Sequence, residues 1–287
     1  VQVDLWMSSA SKQSGIFLKE FWHNRKELNG VIRFQPHYDV FQISPSNSQI
    51  FNELCTDSTG SFCAEDPDGA GQITGKQVLE EDVRQLCIHD LTKVARESEQ
   101  SKRANEVVFY AEKYWKYVSE FVDTCPLDAK NPQDRFGEEC SEAVQRNVGI
   151  DVDLVRECVR RTKDQKLQNE RENPAWSMNA LRINGWRYSG ILDAELVTRA
   201  ICAGFISAPD QCQTLFKPRD PTTPYVPQPV TQGVTMGTFF LWLSIAACVF
   251  TVAALLYKRH LKQNVHTVLR EEVMLEVQAQ MGQYAKL

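Results

Sequence analysis

The sequence contains no Cys-x-x-Cys and no Cys-x-x-x-x-Cys pair. That removes the usual ligand spacing of a structural zinc site. It has no surplus of basic residues: 32 Lys and Arg stand against 37 Asp and Glu, for a net charge of −5. With no basic stripe or patch, nucleic acid is excluded as a partner. No Asn-x-Ser/Thr sequon occurs, so no N-glycan is expected. One stretch lacks charge altogether. Residues 236–257 (MGTFFLWLSIAACVFTVAALLY) run for 22 positions without a charged side chain.

That uncharged stretch is long enough to cross a bilayer, which needs about 20 helical residues. Trp242 and Tyr257 are placed as interfacial aromatics, and Lys258, Arg259, His260 and Lys262 follow at once. The positive cluster predicts a cytosolic C-terminal side. A buried core helix of this length would carry a polar face, which this stretch lacks. The rest is a folding composition, 43 % hydrophobic and 24 % charged, and the residues before the span can bury a sizeable core. The chain starts at Val1, which a removed signal peptide or a truncated chain would both explain. Of nine cysteines, Cys248 lies within the span. The other eight, Cys55, Cys63, Cys87, Cys125, Cys140, Cys158, Cys202 and Cys212, all precede it. An even number on one side of a membrane predicts disulfides in an oxidising compartment. Cys55–Cys63 and Cys202–Cys212 read as local pairs. The remaining four allow three connectivities, and a helix–turn–helix across 141–159 favours Cys140–Cys158. No metal and no cofactor is expected.

Along the chain, residues 1–7 alternate as a strand, 15–28 carry Ile16, Phe17, Phe21 and Trp22 at helical spacing, and 31–34 form a second strand before Pro36. Helices are predicted over 75–94 and 107–122, the second rich in aromatics, with two shorter ones around Cys140 and Cys158. Residues 178–183, Asn184-Gly185 and 186–189 form a hairpin signal, because Asn-Gly supplies the positive φ angles of a type I′ turn. Asp193 caps a last helix that Gly204 ends. The order is β-α-β, helical insert, β-β-α. It predicts an α+β (or α/β) thioredoxin-like domain with a helical insertion, stapled by disulfides, plus one transmembrane helix. The expected division is 1–48 and 174–216 for the thioredoxin-like core and 49–173 for the Cys-rich helical insertion. A proline-rich linker (217–234), the span (235–257) and a cytosolic tail (258–287) follow.

A thioredoxin-like oxidoreductase needs a thiolate at the start of its first helix, where the helix dipole lowers the thiol pKa. Here that region reads Ser8-Ser9-Ala10-Ser11-Lys12-Gln13-Ser14. The position of the fold's cis-proline, before the third strand, reads Ser177-Met178-Asn179-Ala180. Both redox features are missing, so the domain reads as a binding or scaffold module and no enzyme. Asp66-Pro-Asp68-Gly69 hints at a calcium loop, but Gln77 stands where a bidentate Glu is needed, and a polar loop is the better reading. His37 and His89 read as structural histidines.

Several segments resemble one family. They are Phe34-Gln-Pro36-His37-Tyr38, Phe62-Cys63-Ala64-Glu-Asp-Pro67 and Arg84-Gln85-Leu86-Cys87, then Tyr117-Val118-Ser-Glu-Phe121 with Cys125-Pro126, and Glu139-Cys140. Val148-Gly149-Ile150-Asp151-Val152-Asp153 with Cys158 follows, then Ile183-Asn184-Gly185, Tyr188-Ser-Gly190-Ile-Leu192 and Ala200-Ile-Cys202-Ala-Gly204-Phe205. Over residues 31–212 these resemble, in order, the central lumenal region of vacuolar sorting receptors. The resemblance implies a type I membrane receptor of the Golgi, endosome, vacuole or cell-surface membranes that carries soluble protein cargo. Family members usually add a protease-associated domain before this region and calcium-binding EGF-like repeats after it, and this sequence holds neither. In the tail, Tyr284-Ala285-Lys286-Leu287 fits the Tyr-x-x-apolar pattern that a clathrin adaptor medium chain reads as an extended strand. Tyr284 and Leu287 are thus the expected sorting signal. The expected partners are lumenal protein cargo, the adaptor and membrane lipid. The competing reading is a non-catalytic structural or accessory subunit docked to other subunits of a membrane assembly.

Overall fold

The computed structural model describes residues 1–69, 71–98, 102 and 106–216, together with five isolated positions at 244, 250, 251, 257 and 258. The chain separates into two compact units, Val1–Arg219 and Asp220–Leu287. Among the described residues no helix is long and apolar enough to cross a membrane. The linker expected over 217–234 and the tail signal at Tyr284 and Leu287 lie outside the described residues, as does all but four positions of the span expected over 235–257.

The first unit is built on a four-stranded sheet. Strand β1 (Gln2–Met7) runs parallel to β2 (Arg33–Tyr38), and helix α1 (Lys12–Glu27) makes the crossover. Much later in the chain, β5 (Leu181–Ile183) lies antiparallel to β1 on its other side, and β6 (Trp186–Arg187) completes the order β2-β1-β5-β6. The central strand β1 is buried on both faces after Gln2, so that even Asp4, at a polar position of its alternating sequence, is buried. Strand β2 extends through Pro36 rather than stopping before it. Arg33 N–H bonds to the Val1 carbonyl, so the odd residues of β2 face β1 and Pro36, which has no N–H to donate, sits on the open edge. The β5–β6 turn has φ of 52° at Asn184 and 81° at Gly185, as the Asn-Gly pair requires.

Between β2 and β5 runs the helical insert: a short α2 (Phe51–Leu54), α3 (Gly75–Thr92), α4 (Glu112–Thr124), α5 (Glu138–Asn147) and α6 (Val152–Glu172). The helix expected over 107–122 begins only at Glu112. Its first residues instead form β4 (Val108–Tyr110), paired antiparallel with β3 (Val94–Arg96). The helix around Cys158 is longer than expected, 21 residues, capped by the Asp151 carboxylate on Asp153 and Leu154 N–H. The aromatics of α4 are core: Tyr114, Trp115, Tyr117 and Phe121 are buried, with Trp115 4.7 Å from Phe34 and 6.0 Å from Phe21. Helix α1 crosses α4 at Gly15, where a Cβ would stand 2.4 Å from Val122 Cγ2. Helix α7 (Ala194–Ala203), capped by Asp193, packs on α1, and α8 (Asp210–Leu215) follows. Gly204 ends α7, but at φ −76°, not in the left-handed conformation expected of a glycine cap.

Four disulfides staple this unit. Cys55–Cys63 and Cys202–Cys212 are local, as expected. The other two correct the expected Cys140–Cys158 pair: Cys125 bonds Cys140, and Cys87 bonds Cys158. Helix rotation decides this. α5 turns Cys140 toward the C-terminus of α4, whereas α6 turns Cys158 toward α3, with Thr162 Oγ1 3.7 Å from both Cys87 and Cys158 sulfurs. Alkylation of the denatured, unreduced chain is therefore expected to label only Cys248 by mass spectrometry. A label on any of the eight bridged cysteines would contradict the pairing.

Candidate functional site

The place where a thioredoxin-like enzyme does its chemistry lies at the end of β1 and the start of α1. Here it is closed by polar bonds. Ser11 is the N-cap, its hydroxyl accepting from Ser14 N–H at 3.2 Å. Ser9 N–H donates to Asp82 Oδ1 of α3 at 2.9 Å, and Ser14 Oγ donates to Asn179 Oδ1 at 2.6 Å. Trp6 N–H reaches the Ala180 carbonyl, so segment 178–180 packs beside the helix start without a cis peptide among the described residues. The cavity here, lined by Ser8, Ser9, Ser14 and Leu18 among others, holds only about 10 Å³, less than a substrate side chain.

Asp82 is almost fully buried, and burial pushes its carboxyl well above the usual carboxylate range. Its Oδ2 has no hydrogen-bond partner among the described residues. Asp82 thus lies beneath a thiol-free helix start.

On the other face of β1, His37 sits between two carboxylates. Its Nδ1 is 3.1 Å from Glu170 Oε2 and its Nε2 3.8 Å from Asp4 Oδ1, and its ring stacks on Trp6 at 4.6 Å. Glu170 also accepts Tyr38 N–H at 3.0 Å, and Trp6 Nε1 donates to the Asn173 carbonyl. Burial alone would lower the His37 pKa. The bonds to Asp4 and Glu170 reverse that and raise it to about 9. Because the folded value lies above the unfolded one, the stabilisation is complete below about pH 6.5 and is lost as pH rises through about 9. Thermal melts of the wild-type chain are expected to fall by an equivalent of about 2–3 kcal/mol between pH 6 and pH 9.5, and His37→Gln to flatten that slope. A wild-type melting temperature flat over this range would refute the triad's charge state.

Neither Asp82 nor the Asp4–His37–Glu170 cluster was expected from the sequence. The one available signal was a charged residue in the middle of an apolar strand, Asp4, aligned beside a histidine once β1 and β2 are put in register. His89 is buried against Phe34 and Tyr114. Asp66 and Asp68 bond the backbone of their own loop, and among the described residues no cluster of side chains could hold a metal.

The strand order, the parallel β1-α1-β2 unit and the thiol-free helix start define a thioredoxin-like domain with a helical insert and no dithiol at the redox position. Residues 1–202 match the family model of the vacuolar sorting receptor thioredoxin-like domain, and the chain belongs to that family. Relatives include Vacuolar-sorting receptor 1 of Pisum sativum, 28% identical over 240 residues, covering 73% of this chain and 35% of the relative. Vacuolar-sorting receptor 6 of Arabidopsis thaliana is 26% identical over 235 residues, covering 71% and 33%. The chain thus spans about a third of the length of the curated relatives it matches. Among solved structures, reduced DsbA from Mycobacterium tuberculosis superposes with a TM-score of 0.43 at 12% identity, covering 75% of this chain and 86% of that one.

Proposed function

We propose that the chain is a single-pass type I membrane receptor whose disulfide-stapled domain binds lumenal protein cargo without catalysis. In this reading 1–48 and 174–216 are the core, 49–173 the insert, 217–234 a spacer, 235–257 the membrane helix and 258–287 a cytosolic tail. It works between Golgi, endosome and vacuole, with membrane lipid around the span. The observation that supports it most is the closed, thiol-free start of α1 on a sorting-receptor scaffold: a hydrogen-bonded serine and aspartate cluster cannot attack a disulfide.

Affinity purification of the full chain from membranes tests the reading. Substoichiometric soluble proteins together with adaptors support a receptor. Stoichiometric partners that survive detergent would favour the accessory-subunit reading instead. The tail gives the sharper prediction. An extended Tyr-Ala-Lys-Leu places Tyr284 and Leu287 in two pockets of an adaptor medium chain, and the Tyr ring is a buried anchor worth about 2 kcal/mol. Tyr284→Ala is expected to weaken medium-chain binding about tenfold or more and to shift the protein toward the cell surface, while Lys286→Ala changes little. An unchanged location of the Tyr284→Ala protein would remove the tail signal from the proposal.

A further inference from the structure

Arg182 and Arg187 stand directly opposite each other across β5 and β6, on one face of the sheet. The Arg182 guanidinium lies 4.6 Å from the Trp6 ring and 5.6 Å from Trp176, and that of Arg187 lies 4.6 Å from Trp176. The result is a layered stack of indole, guanidinium, indole, guanidinium. Stacking fixes the guanidinium planes but leaves their edge N–H donors free for an acceptor. Among the described residues no carboxylate stands within ion-pair reach of either group. Asp4, the cross-strand neighbour of Arg182, is turned to Gln2 at 2.9 Å and to His37. Arg182 shares the field of Asp4, whose carboxyl it helps to lower, whereas Arg187 is exposed and has no ion pair among the described residues.

The backbone beside them is also open. β6 is the outer strand of the sheet. Tyr188 N–H bonds to the Leu181 carbonyl, which makes 181 and 188 a hydrogen-bonded pair. The next pair inward, Arg182 and Arg187, is therefore the non-bonded kind, and the Arg187 N–H and C=O point away from β5 into the free edge. On the opposite sheet face Trp186 is 81% exposed, a large apolar side chain with nothing over it. No proline, bulge or inward charge blunts this edge, and its one protection is that β6 is only 2 residues long.

We propose that the β6 edge binds an extended acidic segment of a partner protein. The segment adds as an antiparallel strand through the Arg187 backbone, and its carboxylates, two residues apart on the Arg187 face, meet the Arg187 guanidinium directly and diagonally. Alternate side chains of an added strand point to opposite faces, so the residues between the carboxylates are apolar and lie over Trp186. This goes beyond the receptor reading, which assigns no surface, and stands on the geometry of the edge whether or not the tail carries a sorting signal.

The probe is a fluorescent peptide, Thr-Val-Glu-Val-Glu-Val-Thr with blocked ends, titrated into the full chain at low and physiological ionic strength. A twin with both Glu replaced by Gln is the control. Saturable binding is expected, weaker by about tenfold for the Gln twin and falling with salt. Arg187→Gln is expected to cost about fivefold or more in affinity at an unchanged melting temperature, and Trp186→Ala to weaken both peptides alike. Arg187→Lys is expected to restore only part of the affinity, because an ammonium cannot form the bidentate pair. Equal binding of the two peptides, no loss in Arg187→Gln, or no saturation up to millimolar peptide would each overturn the proposal. So would phosphatidylserine vesicles that bind through Arg187 while the peptide does not, since the face would then be a membrane contact.

Discussion

Replacing Glu81 with leucine is expected to destabilise the protein by about 3–5 kcal/mol, because it leaves a buried guanidinium without its counterion. Glu81 is 0% exposed. Its Oε2 accepts Arg84 Nη1, and its Oε1 accepts both Tyr117 Oη at 2.5 Å and Gln85 Nε2 at 3.0 Å. The bonds then spread outward. Tyr117 Oη is 2.6 Å from Ser141 Oγ, which accepts Gln145 Nε2, and Gln85 Oε1 accepts Tyr38 Oη at 2.6 Å, beside Tyr114 Oη at 3.3 Å. One carboxylate thereby ties β2, α3, α4 and α5 together. Removing it strands a charge and several hydroxyl and amide groups in a dry interior, where each unmet group costs about 1–3 kcal/mol. For a unit of this size the melting temperature is expected to fall by roughly 10 °C. Tyr117→Phe, which removes only one arm, is expected to lose about 1–2 kcal/mol. The measurement is a pair of thermal melts at pH 7. A loss under about 1 kcal/mol for Glu81→Leu would mean that water reaches Arg84 and that the network does not hold β2, α3, α4 and α5 together.

The neighbouring Asp82 behaves oppositely. It points to the α1 side, meets Ser9 N–H and no cation, and burial holds its carboxyl well above the usual carboxylate range, the Glu81 charge next to it pushing in the same direction. Because its folded pKa is raised, stability is lost as pH rises above the unfolded carboxylate value. Two adjacent acids on one helix thus have different surroundings, Glu81 against the Arg84 guanidinium and Asp82 against Ser9 N–H alone.

The sheet was legible in the sequence where short-range chemistry dictates it. Alternation marks β1, the Asn184-Gly185 pair marks the β5–β6 hairpin, and Asp193 marks the start of α7. The absence of a thiol between Ser8 and Ser14 was equally plain. What was not legible depends on contacts far apart in sequence. The β3–β4 ribbon is three residues long on each side, and the aromatics of β4 continue into α4 at nearly helical spacing, so a single helix fitted the pattern. Glu81, Asp82, Arg84 and Gln85 look like a polar helix face, yet α3 is covered on nearly every side by the sheet, α4 and α6, and they are buried. Asp82 meets Ser9 across 73 positions, and His37 meets Glu170 across 133. Periodicity carries no information at that range.

Removing the Cys87–Cys158 bridge by the double change to alanine is expected to destabilise the fold more than removing any other disulfide. The four bridges close loops of very different length: 8 residues for Cys55–Cys63, 10 for Cys202–Cys212, 15 for Cys125–Cys140 and 71 for Cys87–Cys158. In the chain-entropy account, a crosslink raises the free energy of the unfolded state by an amount that grows with the logarithm of the loop. That gives about 2.5 kcal/mol for the shortest loop here and about 4 kcal/mol for the longest. The long bridge also joins α3 to α6, and α6 is the helix that delivers Glu170 to His37 and Tyr38 N–H. Loosening α6 therefore reaches the sheet, while loosening Cys55–Cys63 affects a small satellite cluster of Ile43 and Phe51. The melting temperature of the Cys87→Ala, Cys158→Ala chain is expected to drop by about 8–16 °C, against about 5–10 °C or less for the Cys55→Ala, Cys63→Ala chain. Hydrogen exchange is expected to rise along α6 and at Tyr38 in the first variant only. If the two variants melt alike, or if exchange at Tyr38 does not change, α6 is held by its packing on α3 alone and the bridge is not what fixes Glu170 against the sheet.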